Sequence, residues 1–203
     1  EIGHGGMGIV YKAWQPGVNR NVAVKLLHPS VSGGISIKQF QAEATATGRL
    51  HHSGIVQVFS AGQENNARYL IMEFVDGPNL EEFIGGQLIS GKQTAQIALE
   101  VAEALSAMHD KGVIHRDIKP ANILIARDKH PKIADFGLAR LEDSGLSMTA
   151  TGTIVGTPSY MSPEQARGDV RSVTASVDIY ALGGIIYRCL TGRPPFNAPR
   201  RLE

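Results

Sequence analysis

The segment from Val113 to Leu124, V-I-H-R-D-I-K-P-A-N-I-L, constrains the fold most. An apolar pair leads into a polar cluster, and a second apolar pair follows. That order describes a loop pinned at both ends by short buried strands, with charged groups displayed between them. Asp117 can accept a proton, Lys119 offers a compact positive charge, and Asn122 offers an amide oxygen to a metal. A carboxylate, an ammonium and a metal-ligand amide so close together suit phosphoryl transfer, which depends on positioning and charge neutralisation. A charged surface turn would show the His-Arg-Asp triplet as well; the full spacing H-R-D-x-K-P-x-N is much more selective.

A second motif stands near the first residue. Gly3, Gly5 and Gly8 with Val10 fit G-x-G-x-x-G-x-V, with Gly6 and Met7 inside it. Glycines let a backbone approach phosphates without a Cβ in the way. A dinucleotide-binding turn and a plain glycine-rich hairpin use the same pattern, but a dinucleotide turn opens a helix. Here Ile9 to Trp14 continues as a β-rich run, Pro16-Gly17 turns the chain, and Asn21 to Leu27 reads as a second strand. Within it Ala23 and Lys25 share a face. A lysine among apolar residues is ordinarily an edge or snorkelling residue. Further strands are expected over Ile55 to Ala61 and Arg68 to Val75, before the break at Asp76-Gly77-Pro78-Asn79.

Helical spacing follows. Ile97, Val101, Leu105 and Met108 mark one face of a long helix that Lys111 and Gly112 should end. In Ile133-Ala134-Asp135-Phe136-Gly137, Asp135 stands 18 residues after Asp117, behind an expected strand. The segment 138–161 is rich in Ser, Thr and Gly, as long functional loops are. A last helix, Thr174 to Leu190, is apolar on nearly all sides and reads as buried, with Thr174 as N-cap and Gly192 as its stop. Asp178 is the exception on this apolar helix, and a buried charge requires donors.

These motifs, in this order and spacing, resemble bacterial Hanks-type (eukaryotic-like) serine/threonine protein kinases along essentially the whole chain. Lys119 and Pro120 look like the serine/threonine branch. The resemblance implies an α+β fold of two lobes: a small antiparallel β lobe with one helix over 1–75, a linker at 76–79 and a mainly helical lobe over 80–203. The chain starts at Glu1 and stops at Glu203, so we expect a catalytic domain truncated at both ends, its final helices missing. The implied activity is transfer of the ATP γ-phosphate to Ser or Thr hydroxyls of proteins, with Mg²⁺. A pseudokinase-type binding scaffold is the alternative; such scaffolds typically lose the lysine, aspartate or metal ligands, all present here.

Carried over residue by residue, the resemblance makes Asp117, Lys119 and Asn122 catalytic, with Asn122 and Asp135 the metal ligands. Lys25 would hold the α- and β-phosphates. Ile2, Gly3, Gly5, Gly6, Met7, Gly8, Val10, Ala23 and Leu124 would form the nucleotide site, Val10 and Ala23 sandwiching the adenine. Met72 would stand at its back, although plain core packing also suits Met72. The backbone of Glu73 and Val75 would bond the adenine edge. Lys25 then needs a carboxylate partner on the next helix. Glu43 is the only acidic residue between Leu26 and Gln63, and it lies where Ile37, Phe40, Ala44 and Thr47 recur at helical spacing. A solvated glutamate is the competing reading. Asp178 would hold the catalytic-loop backbone, Thr157 would brace Asp117 and Lys119, and Glu164 would pair with an arginine beyond this chain. Arg116 needs a counter-charge when buried. A phosphate on Thr149 or Thr151, the pair that resemblance favours, could provide it, through autophosphorylation among other routes.

Composition excludes other classes. A net charge of +1 argues against a nucleic-acid or anionic-membrane partner. The lone cysteine, Cys189, sits in an apolar run and permits no internal disulfide, which fits a reducing, cytoplasmic setting. The longest apolar run, Ile179 to Leu190, is too short to span a bilayer, so any membrane tether would lie elsewhere in the protein.

Overall fold

The computed structural model of the chain describes residues 1–5, 8–28, 37–65, 67–135, 158–169 and 173–196. Strand β1 (Gly3–Gly5) pairs antiparallel with β2 (Gly8–Gln15), and β2 pairs along its full length with β3 (Arg20–Leu27). The helix α1 (Ile37–Gly48) follows, then β4 (Val58–Glu64) and β5 (Ala67–Glu73). The sheet order is β1-β2-β3-β5-β4, all neighbours antiparallel. Alternation in β3 dictates its packing: Val22 and Ala23 are buried at the start, while Lys25 and Leu27 point inward beyond them. Phe40 and Thr47 of α1 are buried against this sheet.

The second half is mainly helical. Asn79 caps the short α2 (Leu80–Ile84) in a reciprocal capping box with Glu82. Ser90 caps α3 (Gly91–His109), whose face of Ile97, Val101, Ala104, Leu105 and Met108 is buried. The helix ends at His109, and Gly112 follows in the left-handed region at φ 70. Its N–H returns to the His109 carbonyl at 2.8 Å, and that of Val113 to Met108 at 3.0 Å. A turn at Pro120–Asn122 leads into a two-stranded ribbon, β6 (Ile123–Ile125) and β7 (Pro131–Ile133). The one-turn α4 (Pro163–Ala166) and the helix α5 (Ser176–Thr191) complete the described residues. None of their helices is long and apolar enough to cross a membrane. A small antiparallel sheet with one helix is thus followed by a mainly helical half, the α+β arrangement the sequence leads one to expect.

Three expectations are corrected. β4 begins at Val58, not Ile55: Ile55 and Val56 are both buried, and Ile55 bridges in parallel to Ile133. Ile55 pairs with β7 rather than with β5, so the segment joins the sheet of β5 only from Val58 onward. Thr174 is not the N-cap of α5; that position is Ala175, with no side-chain cap, and Thr174 Oγ1 accepts from Ser176 N one step early. Finally, α5 is not buried all round: Ile179, Tyr180, Tyr187 and Leu190 are exposed. Val177, Asp178, Ala181, Leu182, Ile185 and Cys189 form the packed face, and Gly192 ends the helix at φ 70, as its sequence suggests.

Candidate active site

Register places four of the sequence-selected residues on one face of the small sheet. Val10 lies opposite Lys25 on β2 and β3, and Ala23 lies opposite Met72 on β3 and β5. Opposed residues share a face, as do residues two apart, so Val10, Ala23, Lys25 and Met72 point the same way. Gly3, opposite Val10, and Gly8 approach this face from β1 and β2. Gly8 has φ 152, and a Cβ there would sit 2.0 Å from the Leu26 carbonyl oxygen, so only glycine lets β2 pair with β3 at this position. Ile2 is exposed, its N–H bonded to Val10 O. Gly6 and Met7 lie outside the described residues.

Lys25 is 3 % exposed, so its ammonium must be matched. Its partner is Asp135, Nζ to Oδ1 at 2.8 Å. The bond joins the small sheet to the second residue after β7, across 110 positions of sequence. Glu43 lies within α1, but its side chain is outside the described residues.

The catalytic-loop candidates are brought together. Asp117 Oδ2 accepts from Lys119 Nζ at 2.7 Å and from Asn122 Nδ2 at 3.0 Å. Asn122 Nδ2 also reaches the Asp117 carbonyl at 2.7 Å. The amide thus spends its donors on Asp117; its Oδ1 and the Asp117 Oδ1 take no bond among the described residues. Asp117 and Lys119 stay roughly a quarter exposed, open to an incoming group.

Behind them the loop is over-determined. His115 is fully buried. Its Nδ1 accepts from Asp117 N at 3.2 Å and its Nε2 meets the Ala134 carbonyl at 3.0 Å. A backbone N–H can only donate and a carbonyl only accept, so the ring proton sits on Nε2. Asp178, fully buried on α5, accepts from His115 N at 2.9 Å, Arg116 N at 2.8 Å and His109 Nε2 at 2.8 Å. Three donors replace the water this carboxylate has lost. Arg116 and Asp135 both take left-handed backbone, φ 70 and 63. Such strain at non-glycine residues persists only where neighbours enforce it.

Other candidates are placed more loosely. Leu124 is half-buried on β6 and bridges to Asn79. Glu73 N donates to Gln57 O at 2.8 Å, and its carboxylate accepts from Gln57 N at 3.2 Å and Lys132 Nζ at 2.7 Å, on the sheet face opposite Met72. Val75 is half-buried in the chain leaving β5. Glu164 stands in the first turn of α4. Thr149, Thr151 and Thr157 lie outside the described residues. Sequence reasoning missed His109, Lys132 and Gln165. An S-x-x-Q capping pattern marks Gln165 as a helix start, yet not its second bond, from Nε2 to the Arg116 carbonyl at 2.7 Å.

The family model described as "Protein kinase domain" matches residues 1–203. A probable serine/threonine-protein kinase PknB of Corynebacterium glutamicum is 43% identical over 203 residues, 97% of this chain and 31% of that relative. The serine/threonine-protein kinase Pkn1 of Myxococcus xanthus is 42% identical over 201 residues, 97% of this chain and 29% of that relative. The serine/threonine-protein kinase PknB of Mycobacterium tuberculosis is 40% identical, with 97% and 32% covered. The chain therefore spans about a third of the length of these curated relatives. Among solved structures, that of Rad53 residues 1-466 in complex with AMP-PNP aligns with a TM-score of 0.80 at 28% identity, covering 98% of this chain and 49% of that one.

Proposed function

This chain belongs to the protein kinase domain family, matched along residues 1–203, and from that premise we propose that it transfers the γ-phosphoryl group of ATP to Ser or Thr hydroxyls of proteins. The observation that carries the reading is the pair of acidic centres: Asp117 clamped by Lys119 and Asn122, and Asp135 tied to Lys25 at 2.8 Å. The nucleotide would lie between a small lobe over 1–75 and a large lobe over 80–203, joined at 76–79, on the sheet face of Val10, Ala23 and Met72. The backbone of Glu73 and Val75 would meet the adenine edge.

The donor set fits Mg²⁺. Asn122 Oδ1 and the Asp135 carboxylate are hard oxygen donors. Asn122 presents that oxygen because both of its observed bonds use Nδ2. Two protein ligands leave room for phosphate oxygens and water, the usual arrangement for this ion. Bound there, Mg²⁺ supplies charge neutralisation to the phosphates.

The chain's own groups account for the rest. Lys25 exchanges Asp135 for the α- and β-phosphates when nucleotide enters. Asp117 aligns the substrate hydroxyl through Oδ1 and accepts its proton as oxygen attacks the γ-phosphorus and ADP leaves. Lys119 neutralises charge on the transferring group. Thr149 and Thr151 are proposed sites of phosphorylation in trans or by the protein itself; mass spectrometry after incubation with Mg-ATP tests them, and an unmodified 138–161 peptide would exclude them.

The decisive experiment compares the full-length protein with its Asp117→Asn variant on a basic Ser- and Thr-containing protein and Mg-ATP. The variant should bind ATP normally and lose about 10²–10⁴-fold in transfer. ATP binding without transfer by the unaltered protein would favour the scaffold reading.

A further inference from the structure

The peptide between Arg116 and Asp117 is fixed at both polar atoms. Its N–H, on Asp117, points to His115 Nδ1 at 3.2 Å, and its carbonyl, on Arg116, receives Gln165 Nε2 at 2.7 Å. The preceding peptide is held as well, through Arg116 N on Asp178 Oδ1 at 2.8 Å. Arg116 itself is left-handed at φ 70, an outlying conformation for so bulky a residue. Relaxing that φ would turn the 116–117 peptide and swing the Cα–Cβ bond of Asp117. Two of the three restraints come from the loop and from α5. The third, Gln165, belongs to α4, from a segment that rejoins the loop 49 positions later.

Gln165 is itself locked. Ser162, fully buried, receives Gln165 N on its Oγ at 3.4 Å, and Ser162 N donates to Gln165 Oε1 at 3.1 Å. Because Oε1 faces an N–H, the amide can only present Nε2 to the Arg116 carbonyl, and both contacts agree on that orientation. The capping box of α4 thereby aims a donor at the catalytic loop.

We propose that Gln165 is a positioning residue for phosphoryl transfer: its amide N–H holds the Arg116–Asp117 peptide and through it aims the Asp117 carboxylate. This rests on the kinase reading of Asp117 above. A helix cap alone would need only the oxygen of Gln165, since glutamate caps as well as glutamine.

That difference supplies the test. In the full-length protein, Gln165→Glu keeps the acceptor for Ser162 N and replaces the donor with an oxygen facing an oxygen. At pH 8 its kcat should fall about tenfold with KM for ATP and Tm little changed, since one hydrogen bond to a part-buried carbonyl that water can still reach is lost. As pH drops toward about 5.5 the introduced carboxyl takes up a proton and regains a donor. The ratio of its kcat to that of the unaltered protein should therefore climb back toward one. Gln165→Ala, which removes both bonds, should be slow at every pH. If Gln165→Ala is slow and Gln165→Glu matches the unaltered protein throughout, Gln165 is only a cap and the proposal is wrong. Hydrogen exchange at the amides of 115–118 gives a readout independent of transfer. Faster exchange in Gln165→Glu supports the restraint even if the protein transfers no phosphate, which would count against the kinase reading alone; unchanged exchange overturns the restraint.

Discussion

Asp178 shows how one side chain can organise a site it never enters. Its two oxygens take three donors from the end of α3 and from the loop, and the carboxylate is fully buried. Asp178→Asn keeps the volume but turns an NH₂ group toward donors. Removing one partner of a buried charged network typically costs about 3–5 kcal/mol. We expect a large drop in Tm together with loss of transfer; a variant of undiminished Tm would show that the bonds to His115 and Arg116 contribute little. Lys25 raises a different question at the same scale. It bonds Asp135, whereas the sequence singles out Glu43 as its partner in the active arrangement. The two are compatible if nucleotide displaces Asp135. Lys25→Ala and Glu43→Ala should then be non-additive in kcat/KM, the double variant being little worse than either single one. Fully additive losses would remove Glu43 from the pair.

At the scale of elements, glycine positions report where backbones cross. A Cβ on Gly77, in the chain between β5 and α2, would lie 1.9 Å from the Ile125 carbonyl oxygen of β6. Backbone there cannot yield as a side-chain tip can, so Gly77→Ala should destabilise by about 1–3 kcal/mol, read as a lowered midpoint in urea. An unchanged midpoint would show that the β6 contact is loose. The same scale shows what the sequence could carry. Alternation in Val22 to Leu27 and helical spacing from Ile97 to Met108 were legible because each element buries one face that its own residues define. The stretch at Ile55 was not, because its pairing with Ile133 is long-range and breaks the local period. Periodicity also records which faces of α5 are apolar, not which are covered, so Tyr187 and Leu190 stand exposed on a helix that reads as core. In the site, Asp117, Lys119 and Asn122 were legible from spacing within one turn. The bond from Gln165 was not, since the capping pattern is local and its target is not.

Across the whole molecule, the interior is reported by its one thiol. Cys189 is fully buried on α5, and burial pushes its pKa up to about 11. The reactive thiolate is therefore scarce at pH 8 as well as inaccessible. Iodoacetamide at that pH should leave Cys189 unmodified in the folded protein and alkylate it as the protein unfolds in urea. Rapid labelling without denaturant would show that α5 opens locally. The chain at 76–79, between β5 and α2, has a further consequence. Backbone bonds cross beside it, Val56 N to Ile133 O at 2.9 Å and Ile133 N to Gly54 O at 2.8 Å, and the ion pair of Lys132 with Glu73 lies nearby. The covalent connection is thus one thread in a seam already sewn. A protease cut at the exposed Asp76–Gly77 bond should yield two pieces that still migrate together, and a split version of the chain should reassemble when its halves are mixed.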